Sequence, residues 1–527
     1  MPNAANAATD ASATTDATDA AGHADATDAA DADATNTAAD GAGAGAGSSP
    51  GAEAETEPGA RRGPATGKGP GPGQAGRPGA TLAVTSAATT LALMNYTAPM
   101  LDLPALARTF GTPASAQAWL LNGTPLGLAV VLLLAGSLAD DHGRRRIFLL
   151  GTLGLGLTTA LGGLAGSTLA FTLARIAQGA ASAAVLAASL GLIAHAHPGG
   201  AARIRATGVW GAFVSAGIAL GPLLAGALGG LADWRWTYEA LAAGTLLVAA
   251  FGARTLAESR APRAGRPDVA GALTFGLALA ALLTALTLGR DGWLRPSVGL
   301  LLLAAVVLTA AFALVERRGA APMIDLALFR RPAFRAATAG ALFTGLAVIG
   351  FFSVLPALLQ RGTGMAPLTT AWLFLFWSGT AFVVALQVRR LAGRIPAAYQ
   401  LALGFVLSTA GVLVLFGAVE GTADWPRLLV GLLVAGAGSG VLNAALPRLA
   451  VDSVPPERAA MGSGANNTAR YIGSSAGVAL TLALSTAGPD TALVASAALG
   501  LAGAAVTLAA ARDRRLGRGG QGLTARD

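Results

Sequence analysis

Asn95, Tyr96, Asp102, Arg175, Gln178, Asn466, Asn467 and Arg470 all sit in or at the ends of long apolar runs. Polar groups so placed must find partners or line water. Arg175 lies several residues inside its run, where an arginine costs roughly 2.5–3.5 kcal/mol on insertion scales, so it should face a cavity or a partner. A carboxylate in such surroundings can load and release a proton, because low dielectric raises its pKa towards physiological pH; an amide like that of Asn95 cannot titrate. A second concentration of polar groups reads Gly-Ser-Leu-Ala-Asp-Asp-His-Gly-Arg-Arg-Arg from Gly136 to Arg146, between two apolar stretches of roughly 20 residues. Gly136 and Gly143 allow a tight turn and the close approach of a neighbouring helix. Asp140 can accept hydrogen bonds from a helix N-terminus or pair with an arginine, Arg144 and Arg145 being at hand.

The elements that carry these residues follow from composition. With 53% hydrophobic and 12% charged residues in 527, and a mean hydropathy of +0.58, the chain is outside the range of ordinary globular proteins and reads as a polytopic membrane protein. Absence of cysteine excludes disulfides and thiolate metal sites, and four histidines (His23, His142, His195, His197) leave no zinc-hydrolase pattern. No metal or cofactor is expected. The pI near 10.9 does not indicate nucleic acid, because the arginines are scattered singly or in threes without interleaved aromatics.

Residues 1–80 stand apart. From Met1 to Glu57 there are eleven acids and no Lys or Arg, in an Ala, Asp, Thr and Gly background that predicts a disordered tail. Beyond it, apolar runs predict fourteen transmembrane helices, among them 82–103, 117–138, 146–166, 169–194, 205–229, 237–254, 459–485 and 490–511. Loops after even-numbered spans hold nineteen arginines and the opposite loops six, which places both termini in the cytoplasm. Trp119, Trp234, Trp236, Trp293 and Trp425 fall near the outer helix ends and read as an interfacial belt.

The segment from Gly136 to Arg146 resembles the signature loop of the major facilitator superfamily, Gly-x-Leu-Ala-Asp-Arg-x-Gly-Arg-Arg/Lys, with Asp141 where the family has arginine. In that family the loop latches the two halves together on the cytoplasmic side. Arg175-Ile-Ala-Gln178-Gly179 is similar to the family's Arg-x-x-Gln-Gly motif, whose arginine is implicated in proton transfer or in orienting the cavity; snorkelling to the interface is the other reading. Gly217, Gly221-Pro222 and Gly226 resemble the antiporter motif, a small-residue stripe characteristic of exporters, in which tight packing with helix 8 is held to prevent leak. Glu316-Arg-Arg, Pro322-Met-Ile-Asp325, Asp233-Trp-Arg-Trp236 and Gly462 to Gly473 look like the fourteen-helix drug:proton antiporters. Asn466, Asn467 and Arg470 then either contact substrate or pack, with Tyr96 a further candidate cavity residue. The family's helix 1 acid aligns with Asn95, so coupling through that position is lost. Asp102 either substitutes for it or is an exposed cap at the helix end, and Glu239 is a weaker candidate. The second-half counterpart of the signature loop, Gln387 to Arg394, has no aspartate.

The resemblance implies an all-α membrane protein of the major facilitator fold. Its parts would be a six-helix bundle over 81–255, two additional helices over 256–332, a second bundle over 333–511 and a tail over 512–527. The expected activity is export of an amphipathic small molecule, drug or secondary metabolite, in exchange for protons, by a monomer in the cell membrane. A cavity with few fixed charges suits hydrophobic or cationic compounds better than sugars or anions. The alternatives are a facilitator or exporter that is not proton-coupled, and a membrane-embedded enzyme acting on lipid-linked substrates.

Overall fold

A computed structural model describes residues 77–527, except 198–199, 232, 261–267, 290–291, 293, 320–325, 389–393, 455–458 and 524–527; at some helical positions, Asp140 among them, the backbone alone is described. Residues 1–76 of the expected disordered tail, Trp293 and most of the second-half loop after Gln387 lie outside the described residues, and the tail's expected end at 80 is corrected, since Pro78 already begins a helix.

Within a bilayer every main-chain amide must be bonded inside the chain, and the described residues form fourteen long helices. These are α1 Pro78–Thr109, α2 Gln117–His142, α3 Arg144–Gly163, α4 Thr168–Ala196, α5 Gly200–Leu231, α6 Arg235–Thr255 and α7 Val269–Gly289. Then follow α8 Pro296–Arg318, α9 Pro332–Thr363, α10 Pro367–Val388, α11 Ala397–Val414, α12 Trp425–Asp452, α13 Ala459–Leu484 and α14 Pro489–Leu523. Ten are long and apolar enough, by length and composition, to cross a membrane. Several run beyond the apolar spans: α1 continues to Thr109 and α14 to Leu523. Hydropathy registers only the apolar stretch, whereas a helix continues through polar turns until a residue stops it.

Proline begins α1, α8 and α9, where its missing N–H has no intrahelical partner to lose. Ser167 caps α4 by accepting from the Ala170 amide at 3.2 Å. The expected loop between the second and third spans is corrected to a single residue. Gly136 and Asp140 are within α2, and only Gly143, at φ +116°, separates α2 from α3.

In the first half, α2 packs on α4, α1 on α5, and α3 on α4 and α6; in the second, α11 and α10 pack on α12, α14 on α11, and α9 on α13 and α14. The halves meet along α2–α13 and α5–α10, with α1 also touching the end of α9. The additional pair lies at the side: α7 rests on α2 and α13, while α8 packs chiefly on α7 and turns Leu300, Leu303, Val306 and Val307 outward. Apolar side chains facing outward in rows suit lipid rather than water.

Inside α9, Thr344–Ile349 form a π turn, the kind of helical irregularity that accompanies functional sites. It lies where α9 crosses α13 backbone to backbone. A Cβ on Gly345 would strike the Arg470 carbonyl, and one on Gly473 the Leu342 carbonyl. Small-residue crossings of this kind let membrane helices gain van der Waals contact and weak Cα–H···O bonds.

Candidate functional site

Arg175 is fully buried and its reading as a snorkelling side chain is corrected: Nη1 donates to the Asn95 carbonyl at 2.6 Å and to Gln178 Oε1 at 2.7 Å, while Nη2 donates to the Tyr96 carbonyl at 3.3 Å. Gln178 in turn donates to the Thr158 carbonyl at 3.1 Å. Asn95, also fully buried, donates to Leu91 O at 3.1 Å and accepts from Thr159 Oγ1 at 3.0 Å. The cation is thus held among described residues by neutral acceptors from α1 and α4, with no carboxylate bonded to it. The arrangement supplies fixed dipoles in place of an ion pair.

At the next residue, the side chain of Tyr96 crosses to the other half, its hydroxyl 3.0 Å from Ser474 Oγ and its ring edge-on to Tyr471 at 6.2 Å. It borders a cavity between the halves, lined by Thr97 and Met100 of α1, Ser215 and Ile218 of α5, the π turn and Phe352 of α9, Phe374 and Trp377 of α10, Asn443 of α12, and Arg470 and Tyr471 of α13. Phe352 stacks on Trp377 at 4.6 Å and 8°, a geometry worth about 0.5–1.5 kcal/mol beyond burial. Of the four residues expected in the cavity, Tyr96 and Arg470 line it. Asn466 instead is buried and donates to the Ala337 carbonyl at 2.9 Å, and Asn467 is not among the lining residues. The aromatic wall of Phe352, Phe374 and Trp377 was missed by charge and motif reading; the signal for it was the Phe351-Phe352 pair and the Phe374-Leu-Phe-Trp377 run.

Along α10 and α12 the cavity reaches past mid-helix towards the arginine-rich ends, through Ala381, Ala385, Ser439 and Asn443. At the opposite end the halves are closed on each other. Gln360 donates to the Leu101 carbonyl at 2.9 Å and Arg361 to Gln117 Oε1 at 2.8 Å. Of the glycine stripe of α5, Gly217 and Gly221 abut α1 within the same half at Thr90 and Met94, and Gly226 alone takes part in the closure, where a Cβ would lie 3.0 Å from Ala371 Cβ on α10. The stripe packs on α1 and on α10, the eighth helix when the additional pair α7–α8 is left out of the count, whereas α8 itself is peripheral. Pro222 is in mid-helix within the same stripe.

Asp102 is 5% exposed, inside α1 rather than at its end, so its reading as an exposed cap is corrected. Its Oδ2 is buried without a hydrogen-bond partner. It borders a second cavity at the closed end with Arg108, Asp233 and Gln360. Trp234 there is buried, edge-on to Phe110, Phe171 and Tyr238 at 5.5, 6.0 and 5.6 Å, and is not a belt residue.

At the arginine-rich end, a Cβ on Gly143 would meet the Glu258 carboxylate at 2.8 Å. Glu258 Oε1 accepts from the Arg145 amide at 3.0 Å, and the Arg144 amide donates to the Ser259 carbonyl at 2.9 Å. Arg145 Nη2 donates to Ala253 O at 2.7 Å and Arg144 Nη1 to Gly191 O at 3.1 Å. These bonds fasten the start of α3 to α4 and to the segment after α6, and an acid at a helix N-terminus is favoured by the helix dipole. Glu258 was not singled out from sequence, although it is an acid in an otherwise basic connection. A Cβ on Gly136 would meet nothing within 4 Å, so the close helix approach expected there is not made among the described residues.

The chain is 34% identical over 385 residues to the multidrug resistance protein Stp of Mycobacterium tuberculosis, covering 72% of this chain and 70% of that one. It is 34% identical to the puromycin resistance protein pur8 of Streptomyces alboniger, over 77% and 81% of the two chains, and 30% identical to a probable actinorhodin transporter of Streptomyces coelicolor, over 77% and 72%. Crystal structures of the peptide transporter POT with sulfate (TM-score 0.62, 16% identity, 82% of this chain and 94% of that one) and of a bacterial Spinster homologue in an inward-facing, occupied conformation (0.60, 17%, 82% and 96%) share its fold. The Major Facilitator Superfamily model matches residues 85–478, about three quarters of the chain. With the fold, the signature segment and these relatives in agreement, the chain belongs to the Major Facilitator Superfamily.

Proposed function

We propose that this protein exports amphipathic small molecules, drugs or secondary metabolites, across the cell membrane by alternating access, in exchange for protons. The observation that carries the reading is the aromatic-lined cavity between the two halves, bordered by both and packed shut at one end. Relatives named for multidrug resistance, puromycin resistance and actinorhodin transport support it. All fourteen helices span the bilayer, as bundles over 81–255 and 333–511 with the pair over 256–332 beside them. The arginine-rich ends and both termini face the cytoplasm, and the protein acts as a monomer. A membrane-embedded enzyme is set aside, because members of this family are transporters.

Asp102 is the acid assigned to proton exchange. It is a carboxyl group buried at the closed end with an unpartnered oxygen, where it would take up a proton from outside once that end opens and carry it inward on the return. A second reading, an exporter not driven by protons, is favoured by Asn95 alone, which supplies no titrating group where relatives of the antiporter type carry an acid. Everted vesicles loaded with a fluorescent amphipathic dye decide between them. Accumulation against the gradient that collapses with a protonophore supports antiport; accumulation untouched by the protonophore selects the second reading, and no protein-dependent movement of any dye rejects export.

A further inference from the structure

Arg470 is the only charged side chain among the described residues that line the central cavity. Its guanidinium makes no hydrogen bond or ion pair among them. Nε is buried without a partner, and the group lies over the Tyr471 ring at 5.5 Å. No acid among the described residues is paired with it. Asn95 is an amide directed to Thr159 and Leu91, and Asp102 borders the other cavity. The remaining polar lining consists of hydroxyls and the Asn443 amide, together with Trp377, whose indole N–H is buried and unpartnered. Around this donor set stand Tyr96, Phe352, Phe374, Trp377 and Tyr471.

Arg470 is also well placed to hold a ligand. The carbonyl of the same residue abuts Gly345 at the π turn, and Ser474, one turn later, is tied to Tyr96, so the helix face that presents the guanidinium is fixed by main-chain packing. A planar guanidinium with free donors matches a carboxylate or phenolate in fork geometry, and aromatic walls bind planar rings. A cationic ligand would meet an unbalanced positive charge at short range.

We propose that this cavity selects planar aromatic compounds bearing an acidic group, a carboxylate or an ionised phenol, with the anion on Arg470 and the ring against the aromatic wall. This names the substrate class of the export site and rests on the export reading. It reverses the preference for cations expected from counting charges, because counting does not show that the one cavity charge is an unpaired arginine.

Two xanthene dyes of similar shape and opposite charge test it, fluorescein and tetramethylrhodamine methyl ester, binding to the full chain in nanodiscs by fluorescence anisotropy. Fluorescein should bind at least ~10-fold tighter, Arg470→Gln should remove that preference, and Arg470→Lys should keep part of it. Asn443→Asp, which puts an acid into the lining without disturbing Arg470 packing, should shift the preference towards the cation. Equal or tighter binding of the cationic dye to the wild type, no binding of either, or an unchanged preference in folded Arg470→Gln or Asn443→Asp overturns the proposal. Movement of the dyes into everted vesicles separates the two claims: transport of the cation alone sinks the anion preference and leaves export standing, whereas anion-selective binding without movement leaves the preference standing and sinks export.

Discussion

The guanidinium of Arg175 is bonded at 2.6 Å to the main-chain carbonyl of Asn95, so the buried cation of α4 holds α1 by its backbone at the position that the sequence resemblance aligns with an acid. The bond does not depend on the side chain at 95. Arg175 is thereby held without a carboxylate bonded to it among the described residues, and α1 is braced against α4.

Replacing Arg175 with Met should destabilise the first half, because the Asn95 carbonyl and the Gln178 amide oxygen lose a donor in a buried setting. Each orphaned group costs about 1–3 kcal/mol. Unfolding in mixed micelles should show the loss, and a variant as stable as wild type contradicts the bracing role.

Asn95→Asp should insert normally, since the side-chain oxygen at this position already accepts from Thr159 and the Arg175 guanidinium is close by. It adds a titratable group, so export should depend more steeply on the pH gradient than in the wild type. An identical pH profile for the two proteins would falsify a coupling role for this position.

Asp102→Asn keeps the shape of the buried side chain and removes its proton site. Dye movement down its own gradient should persist, while accumulation driven by a pH gradient should fall to background. Arg108, Asp233, Tyr238 and Arg361 are the charged or titratable neighbours at this end, and Asp233→Asn in parallel should leave driven accumulation largely in place. Full driven accumulation in Asp102→Asn removes Asp102 from the coupling path.

Gly221→Ala places a methyl group against the Thr97 hydroxyl and the Met94 carbonyl, an overpacking of the kind that costs about 1–3 kcal/mol. Transport should drop several-fold. Gly211→Ala in the same helix meets nothing within 4 Å and should be silent, so equal loss in both variants would point to a general effect on α5 instead of the α1 contact.

The fold was largely readable from the chain, since lipid demands long apolar helices and the spacing of Gly136, Asp140 and Gly143 is specific. The site was readable only in part. Arg175 and Tyr96 announce themselves as polar residues in apolar surroundings. Phe352 and Trp377 do not, because an aromatic residue facing a cavity and one facing lipid look alike in a sequence. Asn466 shows the converse: an amide in a membrane helix admits both a ligand and a packing role, and the sequence left both open, whereas in the structure it donates to a main-chain carbonyl of a neighbouring helix. Glu258 escaped notice because its partner is a helix N-terminus formed by residues more than a hundred positions earlier.

The π turn Thr344–Ile349 bears on how homologous positions are matched. A π turn holds one residue more than the α-helical turn it replaces, and each residue rotates the helix face by about 100°. If a relative lacks the turn, an ungapped alignment through α9 that is correct for Gly340 will misassign Phe352 and Ser353 by one position, exchanging a cavity-facing side chain for one on another face. Swapping specificity residues between such relatives therefore requires a one-residue gap inside an unbroken helix.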